Sequence, residues 1–355
     1  MRFSIRPDKV PYSVPVPNNM GLVRYVLAFA VIVSHFNILT GSDICFPIDC
    51  DVAVGGFFAL SGFLVYGGYL RKANLRHYIV ARMVRLLPAY FSAVVLFAVL
   101  LAAVSSRGPG DYFLSGHFVK YLVSNLFFLN FIEPTLPGVF SSFDIPAVNG
   151  SLWTMKVEWL LCLSVPVVAW LVRKARGRAT PVFVAVVLVS VAYRVFFHEL
   201  YCATGRPVYS MLSRQFLGLM AFFYCGVLLY YWYGTFRRFK WPLMAAALLA
   251  FAFKGTAYNY DILVCPAAFA VLVVGFSMTG TWWGRWEAGR DNLSYNMYLL
   301  HFPVVQLAAF FRLPQLVGPA LSLCLVLLVV LGLSAAVSAW VERPVMKYYR
   351  QRCRP

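Results

Sequence analysis

Ten apolar runs follow one another along the chain, and most of them are about as long as a bilayer is thick. A transmembrane helix needs about 20 consecutive, mostly apolar residues. Hydrophobic residues make up 61% of the 355 positions and charged residues only 12%, about half the charged fraction of a soluble domain. So few charges cannot cover a water-facing surface, which excludes a soluble enzyme, a disordered chain and a secreted disulfide scaffold. The sequence therefore predicts an all-α integral membrane protein.

The predicted fold is a bundle of about ten transmembrane helices forming a single polytopic membrane domain, residues 1–355. The longest loop, 105–149, contains an apolar segment at 118–132 that is too short to span comfortably, and we interpret it as interfacial or re-entrant. No linker is long enough to hold a separate soluble domain. The predicted helices lie near residues 20–40, 52–70, 84–104, 150–172, 181–199, 211–232, 240–254, 260–280, 292–311 and 316–340.

The distribution of basic residues predicts the orientation of this bundle. The formal net charge is +18, from 31 Lys and Arg against 13 Asp and Glu. When the loops are taken alternately, 22 of the basic residues fall on one side and 5 on the other. Because Lys and Arg concentrate in cytoplasmic loops, both termini are predicted to be cytoplasmic. The positive charge then marks a membrane face, and nucleic acid is not an expected partner.

The first predicted helix carries two ionisable residues, Arg24 and His35. Their spacing of 11 positions places them on nearly the same helix face, about 16 Å apart along the axis. With a cytoplasmic N-terminus, Arg24 lies near the inner interface and His35 lies toward the outer leaflet. Ionisable residues inside a bilayer are costly and are functional candidates for that reason. The alternatives are a snorkelling anchor for Arg24 and a hydrogen-bonded packing residue for His35.

The fourth predicted helix carries Glu158 about two turns from its outer end, at a depth similar to that of His35. An unpaired carboxylate is very costly there, whereas one that faces an imidazole is paired. A His35–Glu158 couple at this depth suits the removal of a proton from a hydroxyl group. The alternative is a structural polar partner within the bundle.

Other polar residues fall in or next to the predicted helices. Arg82 and Arg85 lie one turn apart at the cytoplasmic start of the third helix, where two guanidinium groups can bind phosphates. Membrane topology and lipid headgroups explain these two arginines equally well. The second helix is rich in Gly and Ser, which favours close helix packing. Candidate cavity-lining residues are Ser61, Trp153, Tyr298 and His301.

Cysteine usage is weakly informative. Four of the eight cysteines fall inside predicted spans and are interpreted as small packing residues. Cys45 and Cys50 share the short first outer loop with three aspartates. A disulfide between them is one alternative if that loop faces an oxidising compartment. No Cys/His spacing matches a zinc site, and no metal is expected.

Several segments together resemble the acyltransferase 3 family of membrane acyltransferases. The combination of these segments and their order are specific, and they cover nearly the whole chain. In family order they are Arg24-x10-His35, FFALSGFL at 57–64, ARMVRLLPAY at 81–90, NGSLWTMKVE at 149–158, LSYNMYLLHFP at 293–303 and VERP at 341–344.

The resemblance implies ten helices and transfer of an acyl group, most simply acetyl, from cytoplasmic acyl-CoA to a hydroxyl of a cell-envelope glycan or glycolipid. It implies catalytic roles for His35 and Glu158 and acyl-donor binding by Arg24, Arg82 and Arg85. Acyl-CoA is then a co-substrate, and no tightly bound cofactor is expected. The expected partners are acyl-CoA, a carbohydrate or lipid-linked sugar acceptor, and the lipid bilayer. The expected location is the bacterial cytoplasmic (inner) membrane.

The chain departs from the family pattern at one place. The family often has an acidic residue just before the two phenylalanines of the second helix, as in V-D-x-F-F, whereas residues 54–58 read VGGFF. Asp51 or Asp49 in the preceding loop is a weak substitute. The chain also looks like a stand-alone form, without the extra soluble domain of some larger members. Direct transfer and an acyl-His35 intermediate both stay open.

Two other classes of protein compete with the enzyme. A transporter or flippase for a glycolipid or an anionic substrate could use the same buried polar residues, but the paired helix interruptions expected in matching halves are not found. A structural subunit of an envelope-polysaccharide complex would not need Arg24, His35 and Glu158 together. We therefore expect a membrane O-acyltransferase.

Overall fold

The computed structural model describes residues 18–71, 74–255, 260–287 and 292–352, and within them all regular secondary structure is helical, as predicted. The first nine helices are α1 (Met20–Thr40), α2 (Cys50–Arg71), α3 (Leu75–Leu100), α4 (Pro109–Phe113), α5 (Gly116–Leu126), α6 (Trp153–Lys174), α7 (Ala179–Thr204), α8 (Pro207–Ser213) and α9 (Phe216–Tyr231).

The helices described in the rest of the chain are α10 (Tyr233–Arg238), α11 (Lys240–Ala252), α12 (Tyr260–Leu263), α13 (Cys265–Ser277), α14 (Trp282–Glu287), α15 (Ser294–Phe310), α16 (Leu313–Val317), α17 (Pro319–Val337) and α18 (Arg343–Arg352). A short 3-10 helix, Leu101–Val104, extends α3. A π-helical turn, Ser338–Glu342, joins α17 to α18.

Seven helical stretches in the described part of the chain are long and apolar enough to cross a membrane. They coincide with the first six predicted spans and the last one. The protein is therefore an integral membrane protein. The seven stretches are Met20–Thr40, Cys50–Arg71, Leu75–Val104, Trp153–Lys174, Ala179–Thr204, Pro207–Tyr231 and Pro319–Arg352.

The remaining three predicted spans, 240–254, 260–280 and 292–311, form shorter helices. Helices α11 and α13 have 13 residues each, and α15 has 17. At 1.5 Å per residue, a 13-residue helix reaches about 20 Å, less than the ~30 Å thickness of the hydrocarbon core. Ten membrane crossings and the cytoplasmic location of both termini therefore stay predictions.

Two of the confirmed spans differ in detail from the predicted ranges. Helix α3 begins at Leu75, nine residues before the predicted start, because the Asn74 side chain accepts a hydrogen bond from the Arg76 N–H at 2.8 Å and acts as a helix cap. Arg82 and Arg85 therefore lie inside a helix. The predicted span 211–232 lies within the apolar stretch Pro207–Tyr231, in which a two-residue turn separates α8 from α9.

The predicted interfacial segment 118–132 is helical only in its first part, within α5. Ser115 caps this helix, because its hydroxyl oxygen accepts a hydrogen bond from the Phe118 N–H at 3.1 Å. The Asn125 side chain, in the last turn of α5, donates to the Glu133 carbonyl at 2.9 Å, so the chain turns back after the helix. The depth of the segment in the membrane stays a prediction.

The Glu133 carboxylate ties the chain after this turn back to α5. It forms ion pairs with His117 and Lys120, both at 3.1 Å. Burial alone would raise the pKa of Glu133, but the hydrogen bonds from Thr135, Lys120 and His117 lower it below its usual value. These contacts connect α5 to the chain that follows the turn.

The described chain divides into two compact units, each assembled from separated stretches. The first unit comprises the described parts of Met1–Leu27, Asp51–Val80 and Val157–Arg290. The second comprises the described parts of Ala28–Cys50, Ala81–Lys156 and Asp291–Pro355. The predicted single domain of residues 1–355 stays a prediction.

Helices α2 and α9 pack backbone to backbone in the first unit, as the small residues of α2 indicated. A Cβ atom on Gly62 would overlap the Phe223 carbonyl, and one on Gly226 would overlap the Ala59 carbonyl. Small residues at such a crossing allow two membrane helices to approach closely. Helices α7 and α13 also pack against α9, so the crossing lies at the centre of this unit.

This crossing leads to a prediction about stability. The variant Gly226→Ala is expected to lower the free energy of unfolding by about 1–3 kcal/mol, because the added methyl group meets backbone that cannot rotate away. Thermal denaturation in detergent measures the change. The matched control is Gly332→Ala in α17, where a Cβ meets nothing within 4 Å, and which should be neutral or stabilising by up to about 1 kcal/mol. Equal stability of the two variants would contradict the close approach.

Candidate active site

In the second unit, α1 and α15 place His35 next to His301. The His35 Nδ1 and His301 Nε2 atoms are 2.9 Å apart, and the two ring centroids are 5.0 Å apart. His301 is completely buried, whereas His35 is partly exposed. The Phe302 ring packs edge-on against His35, with a centroid distance of 5.1 Å. His35 is therefore held on one side and accessible on another.

The hydrogen bonds of this pair define which ring nitrogen carries a proton. The Nδ1 atom of His301 lies 2.8 Å from the Tyr298 carbonyl oxygen, and because a carbonyl can only accept, this Nδ1 carries the hydrogen. A completely buried imidazole avoids a second proton, so His301 Nε2 accepts the Nδ1–H of His35. The lone pair of a neutral His35 is then on Nε2. His35 is thus arranged as a base at Nε2.

Asn149, which comes before α6, compensates for a proline inside α15. Pro303 has no N–H, so the carbonyl of Leu299, four residues earlier, loses its helical partner. The Asn149 side-chain amide donates to that carbonyl at 2.8 Å. Both residues belong to motifs singled out in the sequence, NGSLWTMKVE and LSYNMYLLHFP, and this hydrogen bond links the two motifs.

Ser151 and Thr154 continue the contact between these motifs, and we call Asn149, Ser151 and Thr154 the polar latch. The Ser151 hydroxyl donates to the Asn149 side chain at 2.7 Å and also lies 3.3 Å from the Tyr298 carbonyl. The Tyr298 hydroxyl donates to Thr154 Oγ1 at 2.9 Å. The latch therefore fixes the backbone of α15 within one turn of His301.

Two further contacts hold the same segment against α15. Gly150 lies against the Phe302 ring, where an added Cβ would come within 2.7 Å of ring atoms. The buried Gln306 side chain donates to the carbonyls of Ile145 and Ala147 at 2.7 and 3.0 Å. The end of the long loop and α15 consequently form one hydrogen-bonded assembly.

The first part of α15 is tied to two other elements of the second unit. The Tyr295 hydroxyl donates to the Leu86 carbonyl of α3 at 2.8 Å. The Asn296 side chain donates to the Glu342 carboxylate at 2.8 Å. The hydrogen bond from Asn296 connects the VERP motif to α15.

In the first unit, the carboxylate of Glu158 accepts hydrogen bonds from Ser61 and Cys162. The Ser61 hydroxyl of α2 donates to Glu158 Oε1 at 2.6 Å, and the Cys162 thiol lies 3.7 Å from the same oxygen. Helix α6 has its own proline, Pro166, which leaves the Cys162 carbonyl without a helical donor. The Tyr78 hydroxyl donates to this carbonyl at 2.7 Å. The helix that carries Glu158 is therefore anchored at this turn.

The predicted pairing of His35 with Glu158 stays a prediction, since one residue belongs to the second unit and the other to the first. The candidate cavity-lining residues also keep that status. Ser61 hydrogen-bonds Glu158, Tyr298 and His301 are buried in the network of α15, and Trp153 is the first residue of α6.

The three candidate donor-binding arginines lie on two helices. Arg24 is on α1, in the first unit, and Arg82 and Arg85 are on α3, in the second. Arg82 and Arg85 are three positions apart and therefore neighbours on one helix face. Arg85 is exposed, whereas Arg82 is partly buried and its Nε atom is buried without a hydrogen-bond partner. The role of all three in donor binding stays a prediction.

Asp51 and Asp49 were the suggested substitutes for the acidic residue that the family often has before the two phenylalanines of α2. Asp51, in the first turn of α2, forms an ion pair with Arg214 at 2.9 Å. No disulfide joins Cys45 and Cys50, the cysteines that share the outer loop with Asp51.

The sequence interpretation missed the polar latch and Gln306. The latch residues belong to a recognised motif and Gln306 lies three residues beyond another, but the partners of these uncharged side chains lie about 150 residues away along the chain. One readable signal was Pro303, because a proline within a membrane helix requires a donor for the carbonyl four residues before it.

Comparison with known proteins identifies the class of protein that this helical scaffold represents, an integral membrane acyltransferase. The chain belongs to the acyltransferase 3 family, since the family model, described as an acyltransferase domain, matches residues 18–339. The expected family membership is thereby confirmed. No solved structure matches the chain significantly.

Similar proteins occur in phage and bacteria. The chain is 26% identical over 302 residues to a protein of Shigella phage Sf6 named O-acetyl transferase, covering 81% of this chain and 85% of that protein. It is 26% identical over 311 residues to nodulation protein 10 of Rhizobium leguminosarum bv. viciae, covering 81% and 83%. It is also 25% identical over 314 residues to a Bacillus subtilis (strain 168) protein whose name gives peptidoglycan O-acetyltransferase as a provisional assignment, covering 75% and 47%.

Substitution of Pro303 can test whether the hydrogen bond from Asn149 to the Leu299 carbonyl compensates for this proline of α15. Asn149→Leu is expected to lower the free energy of unfolding by about 1–3 kcal/mol, because the Leu299 carbonyl is left buried without a donor. Pro303→Ala restores a helical N–H, so the double variant should lose less stability than the two single variants together.

Thermal unfolding of the four proteins in detergent measures this coupling. Ser142→Ala, in the exposed part of the same loop, is the control and should leave the melting temperature unchanged. Additive losses for Asn149→Leu and Pro303→Ala would contradict the proposed compensation.

Proposed function

We propose that the protein is a membrane O-acyltransferase that moves an acyl group, most simply acetyl, from cytoplasmic acyl-CoA to a hydroxyl of a cell-envelope glycan or glycolipid. The observation that carries the proposal is the histidine pair, in which His301 leaves the lone pair of His35 on Nε2. Family membership supports acyl transfer, and the relatives named as O-acetyltransferases support an acetyl group and an oxygen acceptor.

His35 acts as the general base in the proposed reaction. Its Nε2 takes the proton from the acceptor hydroxyl while the hydroxyl oxygen bonds to the carbonyl carbon of the acyl thioester. The carbon–sulfur bond breaks, and the CoA thiolate leaves and receives the proton from His35 Nε2. His301 is a positioning residue, because it accepts the Nδ1–H of His35 and holds the ring in the required tautomer. A covalent acyl-His35 intermediate is the alternative route.

Glu158 stabilises the positive charge that forms on the imidazole when His35 takes the proton. An ionised carboxylate suits this role, and the Ser61 hydroxyl and the Cys162 thiol are both positioned to donate to Glu158 Oε1. Such donors favour the charged form of a carboxyl group. Ser61 then positions Glu158.

Arg24, Arg82 and Arg85 bind the phosphates of acyl-CoA. The buried Nε of Arg82 has no hydrogen-bond partner, and Arg85 offers an exposed guanidinium three positions further along α3. Guanidinium groups bind phosphates through charge-assisted hydrogen bonds. This donor site requires the predicted orientation, with α3 starting at the cytoplasmic face of the bacterial inner membrane and both termini cytoplasmic across ten spans.

Substitutions can distinguish the role of His35 as the general base from that of His301 as its positioning residue. His35→Gln is expected to lower kcat by about 10²- to 10⁴-fold, because the general base is lost. His301→Leu should also lower kcat, and His301→Gln should restore part of it, since the amide oxygen can accept the His35 Nδ1–H. One assay measures the release of CoA from acetyl-CoA by the protein in proteoliposomes that contain envelope glycan. A second assay counts acetyl esters on cell-envelope glycan by mass spectrometry.

Three outcomes contradict this assignment. Wild-type acylation by His35→Gln would exclude His35 as the general base. Equal activity of His301→Leu and His301→Gln would exclude the positioning role of His301. Unchanged kcat in Glu158→Gln, which keeps an oxygen for Ser61, removes the carboxylate charge from the mechanism. Movement of a glycolipid across the bilayer without CoA release would indicate a transporter instead.

Donor binding by Arg82 has its own test. Arg82→Gln is expected to raise KM for acetyl-CoA about 10-fold or more with little change in kcat, because a charge-assisted hydrogen bond contributes about 1.5–3 kcal/mol. Acetyl-pantetheine lacks the phosphates, so its KM should be the same for the variant and the wild type. Arg107→Gln, in an exposed loop, is the control. An equal rise in KM for both donors would show that Arg82 does not contact a phosphate.

A further inference from the structure

Arg194 is an ionisable residue within a candidate membrane span, and the proposed reaction does not use it. It lies in α7, ten residues before the last residue, Thr204, and therefore about 15 Å from that end of the helix. An arginine at such a position is costly unless it is paired, which makes it a functional candidate.

The guanidinium group of Arg194 has donors without acceptors. Its Nε and Nη1 atoms are buried and have no hydrogen-bond partner. Together these atoms carry three of the five N–H donors of an arginine. The Phe222 ring lies under the cation, 5.6 Å from Cζ to the ring centroid. A ring face attracts the charge but leaves the in-plane N–H donors available.

The surrounding backbone is shaped to admit this side chain. A Cβ atom on Gly218 would lie 2.9 Å from the Cγ atom of Arg194 and would overlap the Ser213 carbonyl. The absent side chain of Gly218 therefore makes room for the arginine next to the turn between α8 and α9. That turn carries a second arginine, Arg214.

The acidic residues nearby are already engaged by other groups. Asp51 and Asp261 are the carboxylates whose charges attract Arg194, and Arg214 is the cation that repels it. Asp51 is held by Arg214 at 2.9 Å, and Asp261 accepts a hydrogen bond from the Gly255 N–H at 3.0 Å. Neither carboxylate is hydrogen-bonded to Arg194. The Nε and Nη1 donors of Arg194 are therefore available to an acceptor from outside the chain.

We infer that Arg194, with Arg214 beside it, forms a binding site for a phosphate group. An oxyanion offers several acceptor atoms to the three unpartnered N–H donors of Arg194, and guanidinium groups are the side chains best suited to bind phosphate. Two carriers share this chemistry, the headgroup of an anionic phospholipid and a diphosphate such as one that joins a sugar to a lipid. The site lies within the first unit and does not depend on the proposed reaction.

The experiment uses one probe for each carrier and the full chain in dodecyl maltoside, a detergent without phosphate. Inorganic pyrophosphate is titrated while the melting temperature is recorded, and phosphatidylglycerol retained by the protein is counted by native mass spectrometry. We expect at least one probe to bind to the wild type and Arg194→Gln to bind it about 10-fold more weakly or worse. Arg206→Gln removes the same charge from an exposed position just after α7 and should bind like the wild type.

The two probes distinguish the carriers. Stabilisation by pyrophosphate supports a diphosphate ligand, and retention of phosphatidylglycerol without that stabilisation supports a lipid headgroup. Failure of both probes to bind to the wild type, or equal binding by Arg194→Gln, would overturn the inference.

Arg194→Leu separates ligand binding from a purely structural role. Without a probe, its melting temperature should equal or exceed that of the wild type, because an unpaired buried charge is removed. A lower melting temperature, together with an unchanged response to both probes, would assign Arg194 to packing against Phe222 and overturn the inference.

Discussion

The second unit depends on a constraint that acts on every helix in a membrane, namely that each backbone carbonyl needs a donor inside the protein. A proline breaks this rule locally, because it removes the N–H that would bind the carbonyl four residues earlier. In α15 the freed carbonyl is that of Leu299, and Asn149 supplies the missing donor. The first unit solves the same problem in α6, where the Tyr78 hydroxyl bonds to the carbonyl freed by Pro166. Both repairs come from residues far away along the chain, so a local defect in one helix fixes its position against another element.

The chemistry of His35 follows from this anchoring. The polar latch holds α15 at Tyr298 and Leu299, and the Tyr298 carbonyl in turn takes the Nδ1–H of His301. Only Nε2 of His301 is then free to face His35. The Tyr298 carbonyl can only accept a hydrogen bond, so it fixes the donor and acceptor nitrogens of His301. His301 in turn fixes those of His35, and the reacting atom is His35 Nε2. A neutral, completely buried His301 gains its role from geometry and not from its own proton affinity.

The pattern of apolar runs predicted the helices well, because the length of a span is a local property of the sequence. Seven predicted spans are present as helices of sufficient length, and the early start of α3 was readable from Asn74 as a cap. The predicted spans 240–254 and 260–280 contain the helices α11 and α13 but are longer than either, since the apolar residues Phe253 and Met278 lie just beyond their ends. The partner of His35 could not be predicted either. The spacing of Arg24 and His35 gives a shared helix face, but the residue facing it depends on the register between two helices, which no local pattern records. The sequence suggested Glu158 for this position, and the structure adds His301.

Some buried side chains of this protein are hydrogen-bonded to backbone carbonyls and have a structural role. Other buried polar atoms have no hydrogen-bond partner and are candidates for binding a ligand. The side chains of Asn149, Tyr78 and Gln306 donate to backbone carbonyls of other elements and hold helices in place. The buried Nε atoms of Arg82 and Arg194 have no such partner. Buried polar atoms in folded proteins are almost always hydrogen-bonded, and an exception calls for an explanation. A cation in an apolar span has a stronger need for a partner than a neutral amide, because both its charge and its N–H donors are desolvated. The network of α15 also contains buried atoms without a partner, Asn296 Oδ1 and Gln306 Oε1, but these are oxygens that can only accept. The unsatisfied arginine donors are accordingly where a negatively charged ligand gains most from binding.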